Sequence, residues 1–145
     1  MDEIIFFKFV KTLIMKKLLI LLLFLPLFSF SQLNSRAQAI KENSPRLYET
    51  IKKYSENKWN DDYQMVIYTI NKQVDALMNL GTLMEDDNFD GNIWFNAVMK
   101  WADNPSKFER YFNDDKVEEA LETIIIQWDM VLYTYKKQLE AKLSY

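Results

Sequence analysis

The stretch MEDDNFDGNIWF, Met84 to Phe95, gathers oxygen-bearing side chains at alternate positions. Asp86, Asn88, Asp90 and Asn92 stand two residues apart, with Gly91 between the last two. Hard cations such as Ca2+ are held by carboxylate, amide and backbone oxygens, and a glycine lets the chain turn sharply around the ion. These four residues are the candidate metal ligands, with Ca2+ as the candidate cofactor. The same composition suits a connector between helices, because Asp, Asn and Gly tolerate turn geometry and cap the helix that follows. On that reading Asp90 or Asn92 caps the helix that carries Trp94.

Asp86 to Ile93 resembles the first half of the calcium loops of EF-hand and dockerin-type modules, with Ile93 supplying the usual apolar residue. The resemblance covers those eight residues and implies a weak calcium-binding module. It departs from the pattern at Ala97, which stands where a bidentate carboxylate closes the coordination shell.

Other chemistries are bounded by absence. The chain has no Cys and no His. Disulfides, thiolate nucleophiles and every Ser–His or Cys–His pair are thereby removed, together with the usual general base and the commonest transition-metal ligand. A carboxylate-based hydrolase remains open as a class. It needs two acids facing each other across a cleft about 5 to 9.5 Å apart, which sequence spacing alone does not identify. Ser106 and Lys107 are adjacent and so point to different faces of a helix, forming no dyad. No catalytic residue is assigned and the expectation is a non-enzyme.

Binding is the alternative to catalysis. Trp94 and Trp101 lie two helical turns apart in phase with Ala97 and Val98, which marks them as core. The last apolar pattern is more informative. Val117, Leu121, Ile124, Trp128, Val131 and Tyr135 recur at alternating steps of four and three. Ile126, Met130 and Tyr133 fall on the opposite side, among Glu119, Glu122, Asp129, Lys137 and Glu140. Either another helix, such as one over Leu33 to Asn43, covers this strip, or it docks a partner or a second copy of the chain.

The elements needed to position these residues are helical throughout. Leu33, Ala37, Ile40, Ser44, Leu47, Ile51 and Tyr54 keep one face in phase across Pro45, predicting a helix from about Asn34 that is kinked or broken at Ser44. Asn60 and Asp61 are placed to cap a second helix, with Tyr63, Val66, Ile67, Ile70, Val74 and Leu77 facing inward and Gly81 at its C-cap. A third runs from Ile93 to Trp101. Ser106 and Glu109 form a capping-box pattern for a short fourth piece bearing Phe108, Tyr111 and Phe112. Asp115 and Glu118 open a final helix reaching Lys142. The predicted fold is all-α: an antiparallel helical bundle of three long and one or two short helices.

The first 31 residues read differently. Lys16 and Lys17 precede the apolar run Leu18 to Phe28, Pro26 breaks its end, and Ser29 and Ser31 supply the small residues of a signal-peptidase site. Cleavage there makes Gln32 the mature N-terminus and leaves one domain over 32–145, with Met15 as an alternative start. The run is short for a membrane anchor, the other reading, since crossing a bilayer takes about 20 residues. No Cys follows to carry a lipid.

Four of the 18 basic and two of the 21 acidic residues precede Gln32, so the mature chain carries a net charge of −5. An acidic chain without a basic cluster is unsuited to nucleic acid, while a basic protein would be steered toward it. These features together lead to a periplasmic or secreted, non-enzymatic protein that binds another protein, in an inhibitor, immunity-type or envelope accessory role, or self-associates.

Overall fold

The computed structural model describes residues 32–145; the expected signal segment and its cleavage site lie outside the described residues. Those residues form seven α-helices and no strand: α1 (Ser35–Asn43), α2 (Pro45–Trp59), α3 (Tyr63–Leu83), α4 (Gly91–Trp101), α5 (Pro105–Asn113), α6 (Val117–Thr123) and α7 (Trp128–Leu143). The all-α class is as the periodicity implies. Among the described residues no helix is long and apolar enough to cross a membrane.

The caps follow ordinary chemistry, at positions partly different from those expected. Asn34 accepts from the Ala37 N–H to start α1. The chain breaks at Ser44, whose N–H donates to the Ile40 carbonyl while its own carbonyl accepts from Tyr48, so one residue closes α1 and opens α2. Pro45 at the first position of α2 has no N–H to lose there. Asp62, rather than Asn60 or Asp61, caps α3 through the Met65 N–H. Asn60 takes a positive φ of 48° in the preceding turn, as does Asp115 at 60° before α6; both residue types tolerate this region. Asp115 therefore belongs to the turn, not to a cap. Asn104 caps α5 in place of the expected Ser106 pattern. Gly81 lies buried inside α3, which continues to Leu83 because its backbone ladder carries on to the Met84 N–H.

The largest correction concerns the final helix. The expected single helix from Asp115 to Lys142 is divided into α6 and α7 by an extended segment at 124–127. Thr123, Ile124, Ile125 and Ile126 are four β-branched residues in a row, which lose side-chain freedom in a helix. The end of α4 supplies the alternative bonding. Asp103 donates its N–H to the Ile125 carbonyl at 2.9 Å and the Gln127 N–H donates to the Trp101 carbonyl at 3.1 Å. The Asp103 carboxylate accepts from the Ile125 N–H at 3.1 Å. In this short antiparallel bridge between Ala102 and Ile126, Ile124 and Ile126 both point inward. The period changes locally from helical to two.

Helix α3 packs against α1, α2 and α7, while α4 packs against α5 and α7, and α6 against α2 and α5. Trp94, Trp128, Tyr135 and Phe108 are the largest fully buried side chains. Burying such a ring is worth roughly 3 kcal/mol or more against exposure, so these four anchor the packing. Phe95 and Phe112, with ring centroids 4.6 Å apart, extend the cluster between α4 and α5.

Candidate functional site

The acidic loop resolves into a helix start. Asp86 Oδ1 accepts from the Asn88 N–H at 2.8 Å, closing a tight turn. Asp90 Oδ1 accepts from the Asn92 and Ile93 N–H groups at 3.0 Å each, capping α4, and Asp90 Oδ2 takes a 2.6 Å bond from Lys142. The Asp90 N–H donates to the Tyr135 hydroxyl at 3.0 Å, and Phe89 stacks on the Tyr135 ring. Lys142, followed by the two N–H bonds, holds the Asp90 carboxyl below the usual carboxylate range. Both Asp90 oxygens are thus engaged, one by the cap and one by Lys142. Among the described residues, no three His, Cys, Asp or Glu side chains gather as a metal site.

The strip predicted on the last helix is also rearranged. Ile126 is 2% exposed, because the extended segment turns it into the core. Met130 is half-buried on α7, and Tyr133 is 57% exposed. The three do not share one helix face, since Ile126 precedes α7. Helix α1, expected as a possible cover, packs on α2 and α3.

Tyr133 instead lines a groove of about 540 Å3 between α3 and α7. From α3 come Tyr68, Asn71, Lys72, Asp75, Ala76 and Asn79, which recur at helical spacing over about 17 Å of axis. From α7 come Asp129, Leu132, Tyr133 and Lys136. Tyr68 is 55% exposed, so each helix contributes one solvent-facing tyrosine to the groove. Ala76 is buried and Leu132 half-buried, which leaves an apolar strip between polar walls.

A charged network fixes one end of this groove. Asp129 lies in the first turn of α7, where a carboxylate complements the helix dipole. Its Oδ1 accepts from Gln73 Nε2 at 2.6 Å and from the Met130 N–H at 2.9 Å, while its own N–H donates to Gln73 Oε1 at 3.3 Å. Lys72 Nζ lies 3.1 Å from Oδ2. Burial alone would raise the Asp129 pKa; the Gln73 and Lys72 hydrogen bonds outweigh it and hold the carboxyl below its usual range. Lys72 is raised correspondingly by its bond to Asp129. At the other wall Asp75 accepts from Arg36 at 3.2 Å. Acid and base are balanced in the groove, with Lys72 and Lys136 beside Asp75 and Asp129.

A second groove, about 600 Å3, lies beside α2 and contains Glu49, Glu56, Asp103 and Glu122. These acids are already engaged: Lys52 reaches Glu49 and Glu56, Arg46 reaches Glu122, and Asp103 binds the Ile125 N–H.

Tyr68 and Gln73 were outside the sequence-derived site. Tyr68 is the aromatic on an otherwise polar face of α3, and that exception was the available signal. Compared with known protein families, with curated proteins and with solved structures, the chain matches none.

Proposed function

We propose that this chain is a periplasmic or secreted, non-enzymatic helical-bundle protein that binds another protein through the α3–α7 groove. The observation that carries the reading is the pair Tyr68 and Tyr133, each more than half exposed on opposite walls of one groove. Tyrosine supplies a large, rigid contact area with a polar tip at small entropic cost, which is why it recurs at binding centres. The neighbouring Asn71 and Asn79 add hydrogen-bonding capacity.

The occupant is an amphipathic helix of the partner, laid between α3 and α7 as an additional bundle member. Three turns match the length of the groove, and the small Ala76 allows an aliphatic or aromatic anchor to approach the backbone. The net charge of the mature chain steers a basic partner at long range, while the balanced groove sets no charge requirement at its centre.

A photo-crosslinking side chain placed at position 68 or 133 tests this in the cell envelope. The same partner band is expected from both positions and not from position 63, where Tyr63 is 74% exposed on α3 but outside the groove. Equal crosslinking from all three positions, or none from 68 and 133, overturns the reading.

A further inference from the structure

We infer that the mature chain begins with a pyroglutamyl residue at position 32, formed by cyclisation of Gln32, and that α3 holds this neutral terminus beside the groove. The inference rests on the export reading, in which cleavage after Ser31 exposes the Gln32 amine. The structural observations concern what happens next to that residue. Asn71 grips the chain just after it: Asn71 Nδ2 donates to the Gln32 carbonyl at 3.1 Å, and Asn71 Oδ1 accepts from the Asn34 N–H at 2.9 Å. Asn34 is held further by its cap bond to Ala37 and by a 3.2 Å bond from its Nδ2 to Asp75. Chain ends are usually loose unless tied down, and here the ties extend to the carbonyl of residue 32.

These ties leave the reacting groups available. The backbone bends at Gln32 and the residue is exposed, with its carbonyl fixed on the α3 side. In the cleaved chain the free α-amine attacks Cδ of its own side-chain amide. The N–Cδ bond forms a five-membered lactam, the Cδ–Nε2 bond breaks, and ammonia leaves with the transferred proton. Both reacting groups belong to one residue, and no oxidant, metal or second substrate enters the balance. The product keeps the carbonyl that Asn71 binds, so docking and cyclisation are compatible.

The lactam is neutral and removes the amine that aminopeptidases require. Asn71, which holds the residue 32 carbonyl, also lines the groove.

The full 145-residue chain, expressed with its own leader in a bacterium and isolated fresh from the envelope, tests this by intact mass and N-terminal sequencing. The expected mass is that of 32–145 less one ammonia, with sequencing blocked until a pyroglutamyl aminopeptidase removes the first residue. A chain starting at Gln32 with a free amine and no ammonia loss overturns the inference and leaves export standing. A chain starting at any other residue overturns the cleavage reading and the inference together. In Gln32→Ala the ammonia loss should vanish and sequencing should open directly; an ammonia loss that persists comes from another residue and overturns the assignment. None of these outcomes depends on the partner or on the tyrosines.

Discussion

Asp129 connects stability to the groove within a single side chain. Gln73, 1% exposed, satisfies its carboxylate and receives its N–H in return, so replacing Gln73 strands a shielded charge. Gln73→Ala should lower unfolding free energy by about 1 to 3 kcal/mol, the range for leaving a buried polar partner unsatisfied. Urea denaturation would show this as a lower midpoint at unchanged slope. The pH dependence follows from the same bonds. Because the folded-state pKa of Asp129 lies below its unfolded value, its contribution is present above the unfolded pKa, near 4, and disappears as pH falls through the folded one. Asp90, depressed by Lys142 and the α4 N–H groups, contributes with the same sign. Wild-type stability should therefore decline in acid, and Gln73→Ala should show a shallower decline between pH 4 and the acid limit. Unchanged acid sensitivity in that variant would assign the effect to other carboxylates.

Among the elements, the division of α6 from α7 has the largest effect on the site. It buries Ile126, begins a new helix at Trp128 and thereby places Asp129 in a first turn facing Gln73. Ile126→Ala should cost about 2 to 5 kcal/mol, as a truncated core residue does, whereas Tyr133→Lys should leave the fold within about 0.5 kcal/mol of wild type. Thermal melts of the two variants separate these outcomes; equal destabilisation would mean that Tyr133 is also a packing residue. The contrast marks how far the sequence could be read. Apolar residues in steps of three and four located α1 to α4 because their inward faces bury Ala37, Ile51, Val66, Ile70, Val74 and Val98. The same spacing continued through Ile124 and Trp128, so the break was hidden: both residues are buried whether the segment is helical or extended. Its visible sign was the run of β-branched residues, and the backbone partners that stabilise it come from α4, more than 20 positions away. Tyr133 was legible as an outward residue, while Ile126 was assigned to the same face by an unbroken-helix geometry that does not hold. Tyr68 acquires meaning only when α3 and α7 are placed side by side. Asp90 was legible as a cap, but its bond to Lys142 depends on the distant end of α7.

For the molecule as a whole, the proposed docking would combine long-range steering by the net negative charge of residues 32–145 with short-range contacts in the groove. Association with a basic partner should slow as ionic strength rises toward about 0.15 M, where charges separated by more than about 8 Å are screened. Dissociation, governed by the tyrosine contacts, should change much less. A salt-insensitive association rate measured by stopped flow would remove the steering argument while leaving the docking face intact. The account depends most on that face. Its most direct test is the affinity of the crosslinked partner for the Tyr68→Ala/Tyr133→Ala double variant, with Tyr63→Ala as the exposed-tyrosine control and circular dichroism as the check on folding. Loss of even one binding hot spot of about 2 kcal/mol weakens affinity roughly thirtyfold. The double variant should bind at least about thirtyfold more weakly while remaining helical, and Tyr63→Ala should bind like wild type. A folded double variant with wild-type affinity, or an equal loss in Tyr63→Ala, would contradict the assignment of the α3–α7 groove as the docking site.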